Sequence, residues 1–439
     1  MSAKGLVIAA PRSGAGKTSV TIGLLRALKR RGISIGGAKS GPDFIDPGFH
    51  HVACGRDGVN LDSWSMSPDL LDGLIGRAAS DVDILLIESA MGLFDGIDGE
   101  EGRSGAASDL ARRYKLPVLL VLDVSGQSRT AAAIAHGFAT FDPDIELAGV
   151  VLNKVASDRH FNQAASAIER AGIRVLGSIK RNPDMEMPER HLGLVQAGEY
   201  ENLDRFNNEM ADVMEASIDI DAVLQAARVI KVQGRNDARA SLKPPGQRIA
   251  IARDKAFTFL YPHLARAWAE AGAELVPFSP LASEGPSEDC DVCWLPGGYP
   301  ELHAGKLADA DKFKSAMRKF AETKPVHGEC GGFMVLGKSL EDADGETHTM
   351  LDLLGHETSF ARRRLNLGYR RAELMVDCPL GPKGASLRGH EFHYARVIKP
   401  GEDAPLVALS DGIGNKIGPS GARRGQVTGT FFHAIAREP

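Results

Sequence analysis

Residues 6–19 read LVIAAPRSGAGKTS, and this stretch decides the fold of the first half of the chain. The apolar run predicts a buried strand, the glycine-bearing segment predicts a tight loop, and an amphipathic stretch of helical length begins near Lys17. Strand, loop and helix in this order make a phosphate loop, in which backbone N–H groups and the helix N-terminus face phosphate oxygens. The predicted nucleotide-binding residues are Gly14, Gly16, Lys17, Thr18 and Ser19, with the Thr18 hydroxyl also a ligand of Mg²⁺.

The loop departs from the standard phosphate-loop pattern at its start. That pattern has glycine five residues before Gly16, where this chain has Pro11. Partition ATPases carry a second lysine near the start of the loop, and here Arg12 occupies that place. The loop also resembles that of dethiobiotin synthetase, which phosphorylates a carboxylate. For the loop itself, the alternative is an ordinary glycine-rich turn. For the function of the protein, the alternative is a partition or switch ATPase.

Short apolar runs alternate with helix-length stretches on both sides of a polar segment. Strands are predicted at residues 6–10, 84–88, 118–123, 148–153, 174–179, 248–252, 274–278, 292–295 and 325–329. Helices are predicted at residues 18–31, 68–79, 106–114, 129–138, 160–171 and 262–271. The fold class is therefore α/β, with two domains that are each a mostly parallel sheet flanked by helices. The domains are predicted at 1–235 and 248–439, joined by a linker at 236–247.

Two acidic segments accompany the phosphate loop: KSGPDFIDP at 39–47 and IESAMGLFDG at 87–96. Ligands of open α/β sheets bind at the carboxyl ends of the strands, where carboxylates suit Mg²⁺. Glu88 and Asp43 are predicted to join Thr18 as metal ligands, while Asp46 and Asp95 are predicted to orient a substrate or ammonia. Asn153 ends another strand and is predicted to contact the purine base, with a simple turn as the alternative. For any single one of these acids, a solvated loop or helix cap is an equal alternative.

The second half carries a candidate nucleophile, Cys330, within VHGECGGF at 326–333. A cysteine on a tight turn between strand and helix is exposed to substrate, and the helix N-terminus lowers the pKa of a thiol. The N–H groups of Gly331 and Gly298, the latter from LPGGYPE at 295–301, are predicted to bind an oxyanion. A thiol also needs a base, and His390, His393 and His433 are candidates. A buried structural thiol is the alternative.

Charge and cysteine content narrow the class of protein. The net charge of −5 argues against a nucleic-acid or membrane-surface protein. A hydrophobic content of 43% is typical of globular proteins that bury a core. Five cysteines, an odd number, do not suggest a disulfide framework. Cys290 and Cys293 are interpreted as buried thiols, and residues 362–364 (RRR) as a solvated basic face that could also meet an anionic substrate. We expect a cytoplasmic protein without membrane or nucleic-acid partners.

Together the two halves resemble the glutamine-dependent cobyrinic or hydrogenobyrinic acid a,c-diamide synthases. The resemblance covers the whole chain and is most specific at 39–47, 91–96, 296–301 and 368–370. It implies a domain like dethiobiotin synthetase followed by a class I glutamine amidotransferase domain. It also implies ATP- and glutamine-dependent amidation of the a- and c-carboxylates of a corrin-type tetrapyrrole in cobalamin biosynthesis. ATP, L-glutamine, the tetrapyrrole and Mg²⁺ are the expected ligands.

The resemblance also selects among the candidate residues. The catalytic histidine of the family lies in the segment that matches 429–433, which favours His433 over His390 and His393. Many class I amidotransferases have glutamate two residues after this histidine, whereas this chain has Ile435, so a Cys–His dyad is expected. Fusion of two activities predicts protected transfer of ammonia. Three points stay open. They are whether the enzyme is instead a cobyric acid synthase or another tetrapyrrole amide ligase, which metal the ring carries, and whether the protein is a homodimer.

Overall fold

The computed structural model describes residues 3–182, 185, 187, 189–190, 193–232 and 242–438. The chain divides into two compact units, Met1–Ala238 and Arg239–Pro439, and each is described by itself. The predicted linker at 236–247 lies partly outside the described residues, as does the domain end predicted at residue 235. In the described part of the chain, no helix has the length and apolar character needed to cross a membrane.

The first unit is an α/β fold around a parallel sheet. Its strands are β1 (Lys4–Ala9), β2 (Ile35–Ser40), β3 (Val59–Leu61), β4 (Ile84–Glu88), β5 (Val118–Asp123), β6 (Leu147–Val155), β7 (Val175–Lys180), β8 (Glu189–Arg190), β9 (Gly193–Leu194) and β10 (Arg228–Val229). Its helices are α1 (Lys17–Arg30), α2 (Asp46–Cys54), α3 (Pro68–Ser80), α4 (Ala107–Tyr114), α5 (Thr130–Thr140), α6 (Asp158–Arg170), α7 (Leu203–Ser217) and α8 (Ile220–Ala226).

The strand order of this sheet is β3-β2-β4-β1-β5-β6-β7, with every neighbouring pair parallel. Strand β10 adds antiparallel to the start of β1. The central strands are almost entirely buried, which explains their continuous apolar runs. Helices begin where the sequence supplies caps: Ser67 accepts the Leu70 N–H before α3, and Ser157 accepts the His160 N–H before α6. The carboxyl ends of β1, β2 and β4 lie side by side.

The second unit contains a parallel sheet and two further sheets. Its strands are β11 (Arg248–Ala252), β12 (Glu274–Phe278), β13 (Val292–Leu295), β14 (Val326–Glu329), β15 (Ser339–Glu341), β16 (Thr347–Thr349), β17 (Glu357–Ser359), β18 (Asn366–Leu374), β19 (Ser386–His393), β20 (Arg396–Lys399), β21 (Val407–Asp411), β22 (Lys416–Ser420), β23 (Ala422–Arg424), β24 (Val427–Thr430) and β25 (His433–Arg437). Its helices are α9 (Pro262–Glu270), α10 (Ala304–Ala308), α11 (Asp311–Ala321) and α12 (Gly331–Leu336).

The main sheet of this unit has the order β12-β11-β13-β14-β24-β23, and all its pairs except β23–β24 are parallel. An antiparallel sheet of order β22-β21-β18-β19-β25 and a mixed sheet of order β16-β15-β17-β20 complete the unit. The predicted α/β class with two parallel-sheet domains is confirmed. The antiparallel sheet was not predicted, and neither were β2, α2, α7 and α8.

Candidate active sites

The phosphate loop lies between β1 and α1, as predicted. Gly16 caps α1 with a φ of 91°, a conformation that favours glycine. A Cβ at this position would lie 2.2 Å from Nδ2 of Asn153, so there is also no room for a side chain. Lys17 is buried, and its Nζ lies 3.4 Å from the carbonyl oxygen of Arg12. Burial and the neighbouring Lys39 ammonium lower the pKa of Lys17 to about 8.

Glu88 ends β4 beside the loop, and protein donors surround its carboxylate. The Thr18 hydroxyl donates to Oε1 at 2.6 Å, and Nζ of Lys39 donates to the same oxygen at 2.9 Å. Nε2 of His50 lies 2.7 Å from Oε2. Burial alone would raise the pKa of Glu88, but the Lys39 charge and the His50 hydrogen bond hold it well below its usual range. Glu88 is therefore an ionised carboxylate at neutral pH.

Asp46 and Asp43 lie at the start of α2, next to the same lysine. Asp46 forms a buried ion pair with Lys39, while its Oδ1 is buried without a hydrogen-bond partner among the described residues. Burial and the nearby Asp43 carboxylate raise the pKa of Asp46 to about 7, against the opposing effect of Lys39. Oδ1 of Asp43 accepts the N–H groups of Ile45 and Asp46 at 2.7 and 3.1 Å. Asp43 thus shapes the turn that brings Asp46 to Lys39.

Asp95 lies in the turn after β4 and is exposed. Its Oδ2 accepts the Gly92 N–H at 2.9 Å, and its charge raises the pKa of Lys17 in opposition to burial. A Cβ on Gly92 would lie 2.8 Å from the carbonyl oxygen of Pro11, so this turn packs against the phosphate loop. The four acids predicted from two separate segments are therefore neighbours of Lys17, at the start of α1, or of Lys39, in β2.

Two predicted nucleotide contacts are engaged with the protein itself. Nδ2 of Asn153 donates to the carbonyl oxygen of Ala15 at 2.9 Å and so stabilises the loop. The Ser19 hydroxyl donates to the carbonyl oxygen of Met185 at 2.9 Å. Contact of Asn153 with a purine base and of Ser19 with a nucleotide stays a prediction.

Asp123, at the end of β5, is a neighbour of the loop that the sequence did not single out. Its Oδ2 lies 3.3 Å from Nη2 of Arg12 and 3.2 Å from Nζ of Lys154. Burial would raise the pKa of Asp123, but hydrogen bonds from Ser125 and the Lys154 charge lower it. The Asp123 carboxylate therefore forms ion pairs with both the exposed Arg12 and Lys154.

The donor set around Thr18 suits Mg²⁺. The Thr18 hydroxyl and the ionised Glu88 carboxylate are hard oxygen donors 2.6 Å apart, and Asp43 is half-buried nearby. Carboxylates accept at several lone pairs, so hydrogen bonds from Lys39 and His50 leave Glu88 capacity for a cation. The predicted metal ligands are compatible with the chemistry of the site.

Cys330 occupies a strained turn between β14 and α12, as predicted, but it is buried and not exposed as the turn had suggested. Its φ is 47° and its ψ is −104°, outside the regions that side-chain-bearing residues prefer. Its N–H donates to the carbonyl oxygen of Thr430 at 2.8 Å. A Cβ on Gly331 would lie 3.0 Å from the backbone nitrogen of Gly298, so the two predicted oxyanion residues are adjacent. The tight turn requires glycine on both sides of this contact.

His433 is brought to Cys330 by the pairing of two parallel strands. In the register of β14 with β24, Glu329 lies opposite Thr430, and each strand then turns at the same edge of the sheet. Burial would lower the pKa of His433, but the nearby Cys330 side chain, the hydrogen bond to it and the Glu329 carboxylate raise the pKa to about 9. A candidate nucleophile and a candidate base thus lie within hydrogen-bonding reach of each other.

The other two candidate histidines have structural contacts. His390 lies opposite His433 across β19 and β25, with ring centroids 5.2 Å apart, and its Nδ1 is 3.1 Å from the Tyr261 hydroxyl. His393 stacks on Phe431. Burial lowers the pKa of His393 to about 4, and burial together with the His433 charge lowers that of His390 further. Both are neutral rings that pack around the site, and His433 stays the predicted base.

Sequence reasoning missed Lys39, His50, Asp123 and Glu329. Two of them carried a signal: Asp123 ends a buried strand, as Glu88 does, and Glu329 directly precedes the nucleophile. Lys39 lies near the end of a strand that was not predicted. His50 lies inside a helix that was not predicted. Cys290 and Cys293 are buried as predicted, and residues 362–364 are exposed.

Comparisons with known proteins match both halves. The family described as the CobQ/CobB/MinD/ParA nucleotide binding domain matches residues 6–195. The CobB/CobQ-like glutamine amidotransferase domain matches residues 248–439. A hydrogenobyrinate a,c-diamide synthase from Mesorhizobium japonicum is 64% identical over 100% of this chain and 99% of its own length. Proteins of the same name from Agrobacterium fabrum and Rhodobacter capsulatus are 60% and 50% identical, and each match spans at least 99% of both chains.

Proposed function

The chain belongs to the hydrogenobyrinate a,c-diamide synthase family, and on that premise we propose that its two candidate sites divide one amidation between them. It is a glutamine-dependent, amide-forming ligase of cobalamin biosynthesis that uses ATP as co-substrate. The observation that carries the division of labour is the pairing of Cys330 with His433 in one unit and the phosphate loop beside Glu88 in the other.

In the second unit, the thiolate of Cys330 attacks the side-chain carboxamide of glutamine. The oxyanion that forms is stabilised by the N–H groups of Gly298 and Gly331, and His433 gives its proton to the leaving ammonia. Water then hydrolyses the thioester, releasing glutamate and restoring Cys330. The strained backbone at Cys330 and the buried imidazolium of His433 support these roles.

In the first unit, the phosphate loop and Lys17 hold the phosphates of ATP. A ring carboxylate attacks the γ-phosphorus, ADP leaves, and an acyl phosphate results. Ammonia then attacks the acyl carbon, phosphate leaves, and an amide remains. Thr18, Asp43 and Glu88 would hold Mg²⁺, which neutralises charge on the phosphates when bound. Burial of Lys17, Lys39 and Glu88 keeps water from screening these charges.

Asp46 and Asp95 are proposed to orient the nucleophile or the substrate. Oδ1 of Asp46 is a buried acceptor without a partner among the described residues, and its pKa of about 7 allows it to take up a proton near neutrality. These properties suit contact with the N–H groups of ammonia as it attacks. Asp95, on the exposed side of the same cluster, suits contact with a larger substrate.

The remaining proposals concern the cellular location, the oligomeric state and the domain boundaries of the protein. We propose a cytoplasmic enzyme that binds neither membrane nor nucleic acid, in keeping with a net charge of −5. A homodimer is proposed as its assembly, and sedimentation velocity tests it. The domain boundaries at 235 and 248 are proposed as sites for separating the two activities.

The substrate proposed is hydrogenobyrinic acid, the cobalt-free ring named in the relatives, with the a- and c-carboxylates as acceptors. The test is incubation with ATP, Mg²⁺, glutamine and either hydrogenobyrinic or cobyrinic acid, followed by counting the added amides by mass. Two amides on the cobalt-free ring, and faster than on the cobalt ring, are expected. No mass change with either ring would refute the proposal, and a preference for cobyrinic acid would correct the choice of ring.

A further inference from the structure

A second carboxylate in the glutaminase site directly precedes the nucleophile. Glu329 is the last residue of β14, and its side chain is 3% exposed. Its Oε1 accepts the N–H of Ala434 at 3.2 Å, and its Oε2 lies 3.8 Å from Nδ1 of His433. One carboxylate therefore contacts the backbone on one side of the catalytic histidine and faces its ring on the other.

The position of Glu329 follows from the fold. Strands β14 and β24 are paired so that Glu329 lies beside Thr430, whose hydroxyl accepts the Phe432 N–H and tightens the turn into β25. Cys330 and His433 leave the two strands at the same edge. A side chain at the end of β14 thus lies beside the turn that leads into β25, where His433 is the first residue.

The residue two positions after His433, where many class I amidotransferases have glutamate, cannot orient the histidine in this chain. Ile435 is fully buried and apolar. A histidine base that lacks an orienting acceptor loses its correct tautomer and direction, and in catalytic triads this is costly. The need for such an acceptor, together with the contacts of Glu329, points to a carboxylate supplied from a different strand.

We propose that Glu329 is the positioning residue of His433 and so the third member of a Cys330–His433–Glu329 arrangement; this rests on the proposed glutaminase role of the second unit. The distance of 3.8 Å is an ion-pair distance, and catalytic hydrogen bonds of this kind shorten when substrate binds. Glu329 holds the ring through Nδ1, leaves Nε2 to exchange the proton with Cys330, and stabilises the imidazolium during attack.

The other groups that face His433 do not replace this carboxylate. Cys330 is its reaction partner, and His390 stacks on it as a neutral ring. The charge of His433 also acts on the nearby His393, which is neutral and packs on Phe431. Among these neighbours, Glu329 is the group that brings negative charge to the imidazolium without reacting.

The test compares Glu329→Gln with the wild-type full-length enzyme in glutamine hydrolysis. The amide side chain introduced at position 329 keeps an oxygen that can accept the Ala434 N–H but carries no negative charge. The expected result is a fall in kcat of at least about tenfold with little change in KM. The alkaline limb of the kcat/KM–pH profile, set by loss of the His433 proton, should move to lower pH, because removing the negative charge lowers the pKa of His433. Glu329→Asp should restore part of both.

Two controls distinguish the proposed role of Glu329 from a loss of structure and from a failure of the proposed glutaminase function. Asp403→Asn removes another buried carboxylate, one that pairs with Arg424 and the Gly355 N–H, and should leave the pH profile unchanged. Amidation supplied with ammonium salt should be unaffected in Glu329→Gln. Unchanged kcat and pH profile in Glu329→Gln would overturn the positioning role. Retained hydrolysis in His433→Ala would instead overturn the proposed glutaminase site.

Discussion

Glu88 shows what a buried charge contributes at the scale of the residue. It is fully buried and still ionised, because Thr18, Lys39 and His50 direct hydrogen bonds at its two oxygens. The pairing of Glu88 with Thr18 was predictable, since both lie where a strand or loop must meet a phosphate. Lys39 was not assigned a role, because the segment IGGAKS has two glycines and no apolar run that would indicate a buried strand.

Replacement of Lys39 tests this buried network. Lys39→Met would leave Glu88 and Asp46 buried without their cation, which is expected to cost about 3–5 kcal/mol of the first unit's unfolding free energy. Calorimetric melting should show that unit's transition at a lower temperature. Lys180→Met, which breaks the exposed pair with Asp158, is the matched control and should not change it. Equal melting of both variants would mean that Lys39 does not hold ionised carboxylates.

At the scale of the element, the decisive piece is the unit β14–turn–α12. Glycines within it allow backbone to approach backbone: a Cβ on Gly332 would lie 2.0 Å from the carbonyl oxygen of Leu295. This unit was predicted from VHGECGGF because a short apolar strand, a cysteine and flanking glycines are local signals. The antiparallel sheet that supplies His390 and His433 was not, since its strands are partly exposed and β25 pairs with β19, which is distant in sequence.

Gly332→Ala tests the packing of this turn. The added methyl group must displace backbone, so we expect a loss of stability of about 1–3 kcal/mol and greatly reduced glutamine hydrolysis. Gly305→Ala is the control: it lies in α10, and its Cβ would be 3.6 Å from the His348 ring, an ordinary contact. The control should hydrolyse glutamine like the wild type and gain up to about 1 kcal/mol. Normal hydrolysis by Gly332→Ala would show that the turn tolerates a side chain.

At the scale of the whole molecule, one chain carries two chemistries that share a reactive product. The first unit matches a nucleotide-binding family and the second a glutamine amidotransferase family, and relatives of the same two-part length share 50–64% of its residues. Both halves place their reactive groups at the carboxyl edge of a parallel sheet, which is why the positions of both sites were predictable from strand order along the sequence. In the proposed mechanism, the nitrogen released at one site is the nucleophile at the other.

Fusion therefore predicts that nitrogen passes from Cys330 to the acyl phosphate without mixing with the medium. Free ammonia is mostly ammonium at neutral pH and is then not nucleophilic, so released nitrogen would be lost to the reaction. With amide-labelled glutamine and unlabelled ammonium salt, mass analysis should find product amides labelled well above the bulk ratio. Cys330→Ser is the control: it should make amides from the ammonium salt alone, because the first unit keeps its phosphate loop. Product label diluted to the bulk ratio would contradict direct transfer, and an inactive Cys330→Ser protein would contradict the independence of the two sites.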